Sequence, residues 1–420
     1  MTGEKTITAE FKSSTIGYIP IHWEVIELGE LFEFKNGINA GKESYGKGLK
    51  FINVMEVINN DWLTVDKIPG FVSISDHQKK VYLVKDGDVL FNRTSETPDE
   101  VGLTTVFCGS DEVVFGGFVI RGRPLNSRIN NGFKKYCFRS KLLRYQIIKN
   151  GQGVIRSNIG QADLRKIKIL LPPLPEQSAI ATLIATWDIV IKDTADLTTQ
   201  KQYRKKWLMQ QLLTGKKRLT GFNGEWKFIK FKDIYAQIKE KANNNKFLVL
   251  SVTKNGIVSQ ADYFNKEIAS ADTSPYLVMK KGDMVISGLN FWMGSIDVLT
   301  EFENGMVSPA YKVFEIINDK ISPEFMKFFI RSKIVLQALI GSSVIGASIV
   351  RRNLDRETLD EWSFSVPSQR EQIAIAQVLR TADKEISLLK AKLDKLKEQK
   401  NGLIQVLLTG KKRLNVNEDL

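Results

Sequence analysis

The octapeptide Leu-Leu-Thr-Gly-Lys-Lys-Arg-Leu occurs twice in the chain, at residues 212–219 and at 407–414, an offset of 195 residues (407 − 212). With the same offset and no gaps, residues 171–219 and 366–414 are identical at 20 of 49 positions. Average residue usage would give roughly three identities at ~6% per position. An internal duplication constrains the fold more strongly than composition does, so we expect two copies of one structural unit.

Shorter matches extend the duplication into the segments that precede these tails. Trp23 and Trp226 begin similar segments, and a Tyr-Leu-Val triplet followed by a Gly-Asp pair appears in each half. The sequences between these matches differ. Each half is therefore predicted to be a variable globular domain followed by a similar tail. The predicted segments are 1–172, a first domain with an N-terminal arm, 173–220, a helix, 221–367, a second domain, and 368–420, a second helix with its tail.

The two tails are predicted to be long helices that pair with each other. Apolar residues recur at alternating spacings of four and three, which is the a/d pattern of a coiled coil. The first tail has a polar centre that could face solvent, a third helix or another protein. The predicted apolar seam positions are Ile180, Ile184, Trp187, Ile191, Leu208 and Leu212 in the first tail and Ile375, Leu379, Ile386, Leu389, Leu393, Leu396, Leu403 and Leu407 in the second.

Residues at both ends of the second tail predict where its helix begins and ends. Ser368 and Glu371 have the spacing of a capping box, and Gly410 suits the left-handed conformation that follows a helix. A helix from Glu371 to Leu408 would measure about 57 Å at ~1.5 Å per residue.

The predicted fold class is α+β, with two globular domains in tandem repeat, separated by two long antiparallel coiled-coil helices in a pseudo-two-fold arrangement. Runs of β-branched and aromatic residues between Gly- and Asn-rich turns predict strands, for example at 88–91, 283–286 and 311–317. Residues 132–149 and 323–340 are each predicted to form an amphipathic helix.

Composition adds a preference for a polyanionic partner. The formal net charge is +14, from 61 Lys and Arg against 47 Asp and Glu, and such a basic protein usually binds nucleic acid. Two Cys and two His cannot build a disulfide scaffold or a Cys/His zinc cluster. The chain has no apolar run of the ~20 residues that span a bilayer, and we expect a cytoplasmic protein without a membrane segment.

No catalytic motif can be recognised in the sequence. The motifs of an amino-methyltransferase, a Walker A loop and a metal-dependent nuclease are all missing. The glycines between Phe115 and Phe118 are too few for a cofactor loop and predict a turn or strand bulge. We therefore expect no catalytic residue and no metal site in this chain.

The motifs around the duplicated helices resemble those of a known family. Pro-x-x-x-Glu-Gln at each joint, the Leu-Leu-Thr-Gly-Lys-Lys-Arg-Leu ends and the Gly-Asp strands at Gly87 and Gly282 resemble the DNA-specificity (S) subunit of type I restriction-modification systems. The resemblance implies that each domain is a target recognition domain that reads one half of a split, asymmetric site in double-stranded DNA. It also implies that the helices set the unread spacer and dock two methyltransferase (M) subunits.

The resemblance implies further that the chemistry belongs to partner subunits. S-adenosylmethionine is expected on the methyltransferase subunits, and ATP and Mg²⁺ on restriction (R) subunits if these are present. No cofactor is expected on this chain. A stand-alone DNA-binding scaffold and a self-contained DNA-modifying enzyme remain the alternatives.

Candidate DNA-binding residues lie in the segments that carry the resemblance. Asn92 and Arg93 follow the first Gly-Asp strand, Ser287, Asn290 and Trp292 follow the second, and Trp292 is as compatible with a core position as with base stacking. The full set of predicted DNA-contacting residues is Asn92, Arg93, Arg121, Arg123, Arg156, Ser287, Asn290, Trp292, Arg351 and Arg352.

Overall fold

The computed structural model describes residues 11–153, 156–243, 247–253, 256–264, 272–288, 290–348 and 351–414. The chain forms two compact units: unit 1 comprises Met1–Asp193 and Lys392–Leu420, and unit 2 comprises Thr194–Ala391. Each unit therefore contains one globular domain and a part of each long helix. Among the described residues, none of the helices combines the length and the hydropathy that a bilayer span demands.

Unit 1 begins with a mixed α+β domain. Its strands are β1 Phe11–Ser14, β2 Gly17–Pro20, β3 Glu24–Glu27, β4 Phe32–Asn36, β5 Tyr45–Ile52, β6 Trp62–Leu63, β7 Gly70–Val72, β8 Val89–Asn92, β9 Thr94–Ser95, β10 Thr104–Phe107, β11 Val113–Phe115, β12 Val119–Pro124, β13 Ser157–Asn158 and β14 Lys168–Leu171. Its helices before the first long helix are α1 Leu28–Leu31, α2 Val54–Asn59, α3 Asp76–Tyr82, α4 Asn131–Cys137, α5 Lys141–Asn150 and α6 Gln161–Arg165.

A five-stranded sheet in the order β4-β12-β8-β10-β6 organises this domain. All four residues of β8 are buried, because this strand lies in the middle of the sheet and is covered on both faces. The aromatic rings of Phe91 and Phe138 pack edge to face, with their centroids 5.5 Å apart. Strands β3 and β14 pair antiparallel, so the start and the end of the domain lie side by side.

Unit 2 contains the second domain. Its strands are β15 Lys227–Lys230, β16 Tyr235–Ile238, β17 Leu250–Thr253, β18 Gly256–Ser259, β19 Leu277–Lys280, β20 Met284–Ser287, β21 Ile296–Val298, β22 Asn304–Val307, β23 Tyr311–Ile316, β24 Ser343–Ser348, β25 Arg351–Leu354 and β26 Ser363–Val366. Between the two long helices it has α8 Gln260–Tyr263, α9 Pro323–Phe329, α10 Lys333–Gly341 and α11 Arg356–Glu361.

The main sheet of unit 2 has the order β16-β23-β20-β21, which repeats the order β4-β12-β8-β10 of unit 1. Strands β15 and β26 pair antiparallel as β3 and β14 do. The duplication inferred from sequence is therefore visible in strand order, although the loops differ. The predicted α+β class is confirmed.

The two segments predicted as single amphipathic helices are each two helices, and that prediction was wrong. Residues 132–149 are divided between α4 and α5, and residues 323–340 between α9 and α10. The break falls before Ser140 and Ser332, whose side chains accept hydrogen bonds from the amides of Leu143 and Val335. A serine that caps a helix interrupts the preceding one without any Gly or Pro to mark the site.

The long helices are α7 Leu174–Leu212, with 39 residues, and α12 Gln369–Leu408, with 40 residues. All the apolar seam positions predicted from the heptads are buried or half-buried. Within unit 1, Asp188 is paired with Lys400 and Glu176 with Arg413. From the first pair to the second, the residue number falls along the first segment and rises along the second, so the two segments are antiparallel.

The polar centre of the first seam, from Thr194 to Lys205, belongs to unit 2. Thr194 and Thr198 are 7% and 6% exposed. The Thr198 hydroxyl donates to the Thr194 carbonyl oxygen at 2.7 Å, which satisfies its polar group within the helix. Lys205 is paired with Asp383, and Lys201 with Glu385. The seam tolerates these polar residues because their charges and hydroxyls have partners.

Candidate nucleic-acid interface

In unit 1 the residues after β8 form one edge of the sheet. The Arg93 amide donates to the carbonyl oxygen of Phe118 at 2.9 Å, and its own carbonyl oxygen accepts from the Ile159 amide at 3.0 Å. The Arg93 guanidinium donates to the Gly117 carbonyl oxygen at 3.3 Å. Arg93 is half-buried and joins three separate loops at this edge.

A two-stranded pairing of β9 with β13 brings Arg156 to the same edge. The Arg156 side chain is 62% exposed, and its guanidinium lies 3.4 Å from the carboxylate of Glu96, which is also exposed. The Thr94 hydroxyl donates to the side-chain oxygen of Asn158 at 2.7 Å. Thr94 and Asn158 carry groups that can read base edges, but they lie 64 residues apart in sequence, and no local pattern pointed to them.

Asn92 and Arg121 lie inside the domain, which corrects their place in the predicted interface. Asn92 is fully buried, and its side-chain amide donates to the Glu100 carbonyl oxygen at 3.0 Å. Arg121 is 3% exposed and donates to the Leu83 carbonyl oxygen at 2.7 Å. Burial lowers the pKa of Arg121 from its usual value. These side chains stabilise the domain and do not face solvent.

Arg123 has a similar structural role. Its guanidinium makes two hydrogen bonds to the carboxylate of Asp88, at 3.1 and 2.7 Å, and the Asp88 side chain is 1% exposed. A buried carboxylate needs such a partner, because it has lost its hydration. The prediction that Arg123 contacts DNA therefore competes with an ion pair that stabilises the domain.

In unit 2 the structure brings together four of the predicted residues. The Asn290 amide donates to the Ser287 hydroxyl at 3.2 Å, and Asn290 is exposed. The guanidinium carbon of Arg352 lies 4.6 Å from the ring centroid of Trp292, a cation–π contact. Trp292 is half-buried and packs against the main core of unit 2. Part of its side chain therefore occupies a core position, which was one of the two roles compatible with the sequence.

The hairpin of β24 and β25 carries the other predicted arginines of unit 2. Arg352 donates to the Ser343 hydroxyl at 3.0 Å. Arg351 begins β25, and its side chain lies outside the described part of the structure. In both units the candidate residues lie in two places: after strand β8 or β20, and in the loop or hairpin after helix α5 or α10. The two surfaces are therefore equivalent in topology.

Both domains meet their long helices through the same glutamine contacts. The Gln177 amide group accepts from the Asn130 amide at 2.8 Å and donates to the carbonyl oxygens of Arg128 and Pro172 at 2.9 and 2.8 Å. Gln372 accepts from Ser322 at 2.8 Å and donates to Lys320 and Pro367 at 3.0 and 2.9 Å.

The neighbouring glutamates are buried and paired with the arginines of the repeated octapeptide. Glu176 accepts from Arg413 at 3.1 and 2.8 Å and from the Trp23 indole at 2.9 Å. Glu371 accepts from Arg218 at 2.5 and 2.6 Å. Glu371 thus binds an arginine with both carboxylate oxygens, although the sequence suggested a capping role for it. We call these glutamine and glutamate contacts the joint.

The structure offers no evidence of a metal-binding arrangement in its described part. Among the described residues, no group of three or more His, Cys, Asp or Glu side chains is arranged to hold a metal ion.

Residues 20–202 match the family model described as the type I restriction modification DNA specificity domain. A putative type I restriction enzyme MjaX specificity subunit of Methanocaldococcus jannaschii is 25% identical over 434 residues, covering 96% of this chain and 97% of that protein. The MjaVIII specificity subunit of the same organism is 27% identical over 223 residues, covering 51% of this chain and 50% of that protein.

Two solved structures share the fold. The HsdS subunit of Thermoanaerobacter tengcongensis has a TM-score of 0.56 at 15% identity, covering 95% of this chain and all (100%) of that one. A chain from a study of complex assembly and conformational transition of the type I R-M system has a TM-score of 0.59 at 13% identity, covering 93% of this chain and 99% of that one.

The chain is thus similar over almost its whole length to a type I restriction enzyme specificity subunit, and its residues 20–202 match the DNA specificity domain of that family. The two alternative functions that the sequence left open are not favoured by these comparisons.

Proposed function

We propose that each globular domain reads one half of a bipartite, asymmetric DNA site. The observation that carries this proposal is the contrast between the joint and the candidate surface. The glutamine of the joint makes the same three hydrogen bonds to backbone atoms, at nearly the same distances, in both units. The candidate surfaces have different residues, Arg93 with Arg156 in one unit and Trp292 with Arg352 in the other. Different base sequences require different side chains on a common scaffold.

The long helices then set the length of the unread spacer. A helix of 39 residues is about 58 Å long at ~1.5 Å per residue. One turn of B-DNA is ~34 to 36 Å, so helices of this length suit two short half-sites about a turn apart.

The chemistry is assigned to partner subunits. We propose that two methyltransferase subunits bind along the helices and carry S-adenosylmethionine, and that any restriction subunits carry ATP and Mg²⁺. The chain itself is then non-catalytic and binds no cofactor. The net charge of +14 supplies phosphate contacts that hold the domains on the duplex.

Co-expression with a methyltransferase subunit tests this proposal. We expect the two proteins to co-purify with two methyltransferase copies per chain, and we expect methylated adenines to map to one split sequence. A purified chain that methylates or cleaves DNA without any partner would contradict the non-catalytic assignment.

Exchange of residues 20–172 for the equivalent domain of a relative should change one half-site only, and a change in both would contradict the assignment of one half-site to each domain.

A further inference from the structure

The turn that joins β11 to β12, Gly116-Gly117-Phe118, presents an aromatic side chain to solvent. Phe118 is 58% exposed, whereas both glycines are buried. Single exposed apolar residues are common on proteins and need no functional explanation by themselves. Phe118 differs because of the rigidity of its turn, its neighbours and its counterpart in unit 2.

The turn has no room to relax. A Cβ atom on Gly117 would lie 1.8 Å from the side-chain oxygen of Asn39, and one on Gly37 would lie 2.1 Å from the Gly116 carbonyl oxygen. The close approach of the two backbones therefore requires glycine at position 37, and Gly117 leaves room for the Asn39 side chain that packs against the turn. The Phe118 ring is carried on a backbone that is fixed from two sides, as an apolar contact of defined position requires.

Four backbone polar groups of the turn form hydrogen bonds within the domain. The Gly116 amide donates to the Ile52 carbonyl oxygen at 3.0 Å, and its carbonyl oxygen accepts from Val119 at 2.9 Å. Arg93 donates to the carbonyl oxygens of Gly117 and Phe118. The Gly116 amide is therefore not available for a phosphate contact, and the exposed side chain that the turn presents is the Phe118 ring.

The turn also lies beside the residues already assigned to the candidate interface of unit 1. Arg93 contacts it directly, and the loop of Ile159, next to Asn158 and two residues beyond Ser157, is bonded to Arg93. An apolar ring among groups that donate and accept hydrogen bonds is the composition of a base-reading surface, where phenylalanine contacts a thymine methyl group or wedges against a base step.

The equivalent turn of unit 2 has a small residue at this position. The Gly288 amide donates to the Ala310 carbonyl oxygen at 2.9 Å, as the Arg93 amide does to that of Phe118, and the Tyr311 amide donates to Ser308 at 2.9 Å, as Val119 does to Gly116. Ala310 therefore corresponds to Phe118. The backbone of the turn is retained while its exposed side chain differs, as expected of a residue that discriminates between half-sites.

We infer that Phe118 is a specificity residue that makes an apolar contact with one base pair of the half-site read by the domain of unit 1. The inference rests on the proposed function, and it adds a residue that neither the basic composition nor the arginine-bearing motifs indicated. The Phe-Gly-Gly-Phe segment, too short for a cofactor loop, then has a function as a rigid mount for this ring.

The test compares Phe118→Ala with Leu125→Ala in cells that carry the full chain and its methyltransferase partner. Leu125 is also 58% exposed and follows the other end of β12, about 20 Å away at ~3.3 Å per residue. It therefore controls for the loss of an exposed apolar side chain. The methylated sites are mapped in the genome, and the binding of the purified complex to the wild-type site is measured.

We expect Phe118→Ala to relax one base-pair position of one half-site and to weaken binding to the original site about tenfold, the size of one lost base contact. The other half-site, binding to unrelated DNA and the thermal midpoint should be unchanged, and Leu125→Ala should match the wild type. Phe118→Leu should retain part of the preference because it remains apolar.

Two outcomes would overturn the inference while the proposed function stands. One is a Phe118→Ala methylation map identical to that of the wild type. The other is loss of the methyltransferase from the purified Phe118→Ala complex, which would make the ring a protein contact. A wild-type complex that methylates no split sequence would instead overturn the proposed function, and this inference with it.

Discussion

The ion pair between Arg413 and Glu176 should control the stability of unit 1 in particular. Arg413 belongs to the second octapeptide, and Glu176 is near the start of α7. The Glu176 side chain is 2% exposed, while that of Arg413 is 31% exposed. The substitution Arg413→Met keeps the aliphatic stem of the side chain and removes both of its hydrogen bonds to the carboxylate.

The expected cost follows from the burial of the carboxylate. Removal of one partner of a fully buried ion pair costs ~3 to 5 kcal/mol, because the remaining charge is left uncompensated. Partial exposure of Arg413 lets water reach the site, and Trp23 still donates to Glu176 at 2.9 Å. We therefore expect Arg413→Met to destabilise unit 1 by about 2 to 3 kcal/mol.

Hydrogen exchange of the intact protein, read peptide by peptide, measures this effect. Exchange should accelerate in peptides from β3, β14 and α4, and peptides from β20 and α9 should keep their protection. The matched variant Arg218→Met removes the corresponding partner of Glu371 and should show the opposite distribution.

A double-mutant cycle gives the refuting result. Glu176→Gln removes the charge but keeps an acceptor for the Trp23 indole, so the double variant Glu176→Gln/Arg413→Met should lose less than the sum of the two single variants. Additive effects would mean that the two side chains are not coupled. Equal loss of protection in both units would mean that the contact does not act within unit 1.

Three further predictions concern the helices, a buried carboxyl and the candidate interface. Deletion of residues 190–196 together with 392–398 preserves the Asp188–Lys400 and Lys201–Glu385 pairs. Because seven helical residues span ~10.5 Å, the deletion should shorten the unread spacer by about three base pairs. Methylation mapping that finds an unchanged spacer would refute the proposal that the helices set its length. Burial, with nearby Glu315, raises the pKa of Asp283 to about 6, so the folded state binds this proton more tightly than the unfolded chain does. Urea unfolding should therefore show the stability of unit 2 falling by up to about 3 kcal/mol as the pH rises from 4 to 6. The variant Asp283→Asn should remove this pH dependence. Arg156→Ala should weaken binding to all DNA sequences and reduce the slope of log affinity against log salt concentration by about one, without loss of stability. Arg123→Ala should instead destabilise the domain by about 3 kcal/mol, because it leaves the buried Asp88 carboxylate without this partner. Equal effects of the two variants on stability would contradict these roles.

The sequence predicted the long helices well because their signal is repeated over many turns. Heptad spacing identified each seam position independently, and Gly410, with φ of 69°, ended the helix as expected. It predicted the interface less well, because contact with DNA depends on which side chains leave the sheet. Asn92 and Arg93 are adjacent in sequence, but the first is fully buried and the second reaches the edge.

Other residues of the candidate surface could not be found from the sequence because they are assembled from distant segments. Thr94 meets Asn158 through a pairing of two-residue strands, which is too short to leave an alternating pattern. Phe118 belongs to a segment whose only visible signal was a pair of glycines. That the Asn39 side chain packs against Gly117 becomes evident only from the structure.

The joint explains why a Glu-Gln pair and a distant arginine recur in each half while the domains diverge. Gln177 uses the acceptor and both donor positions of one amide group, on backbone atoms of three residues in two segments, so a carboxylate there would face two carbonyl oxygens with no proton to donate. Glu176 is buried and needs the forked guanidinium of Arg413, which a lysine could not replace with two hydrogen bonds. All these contacts except one are made to backbone atoms or to the repeated motif itself, and the exception, Trp23, lies outside the variable middle of the domain. A domain can therefore change its surface residues without changing how it is held, and this independence allows a new DNA half-site to be acquired while the helices and the joint remain the same.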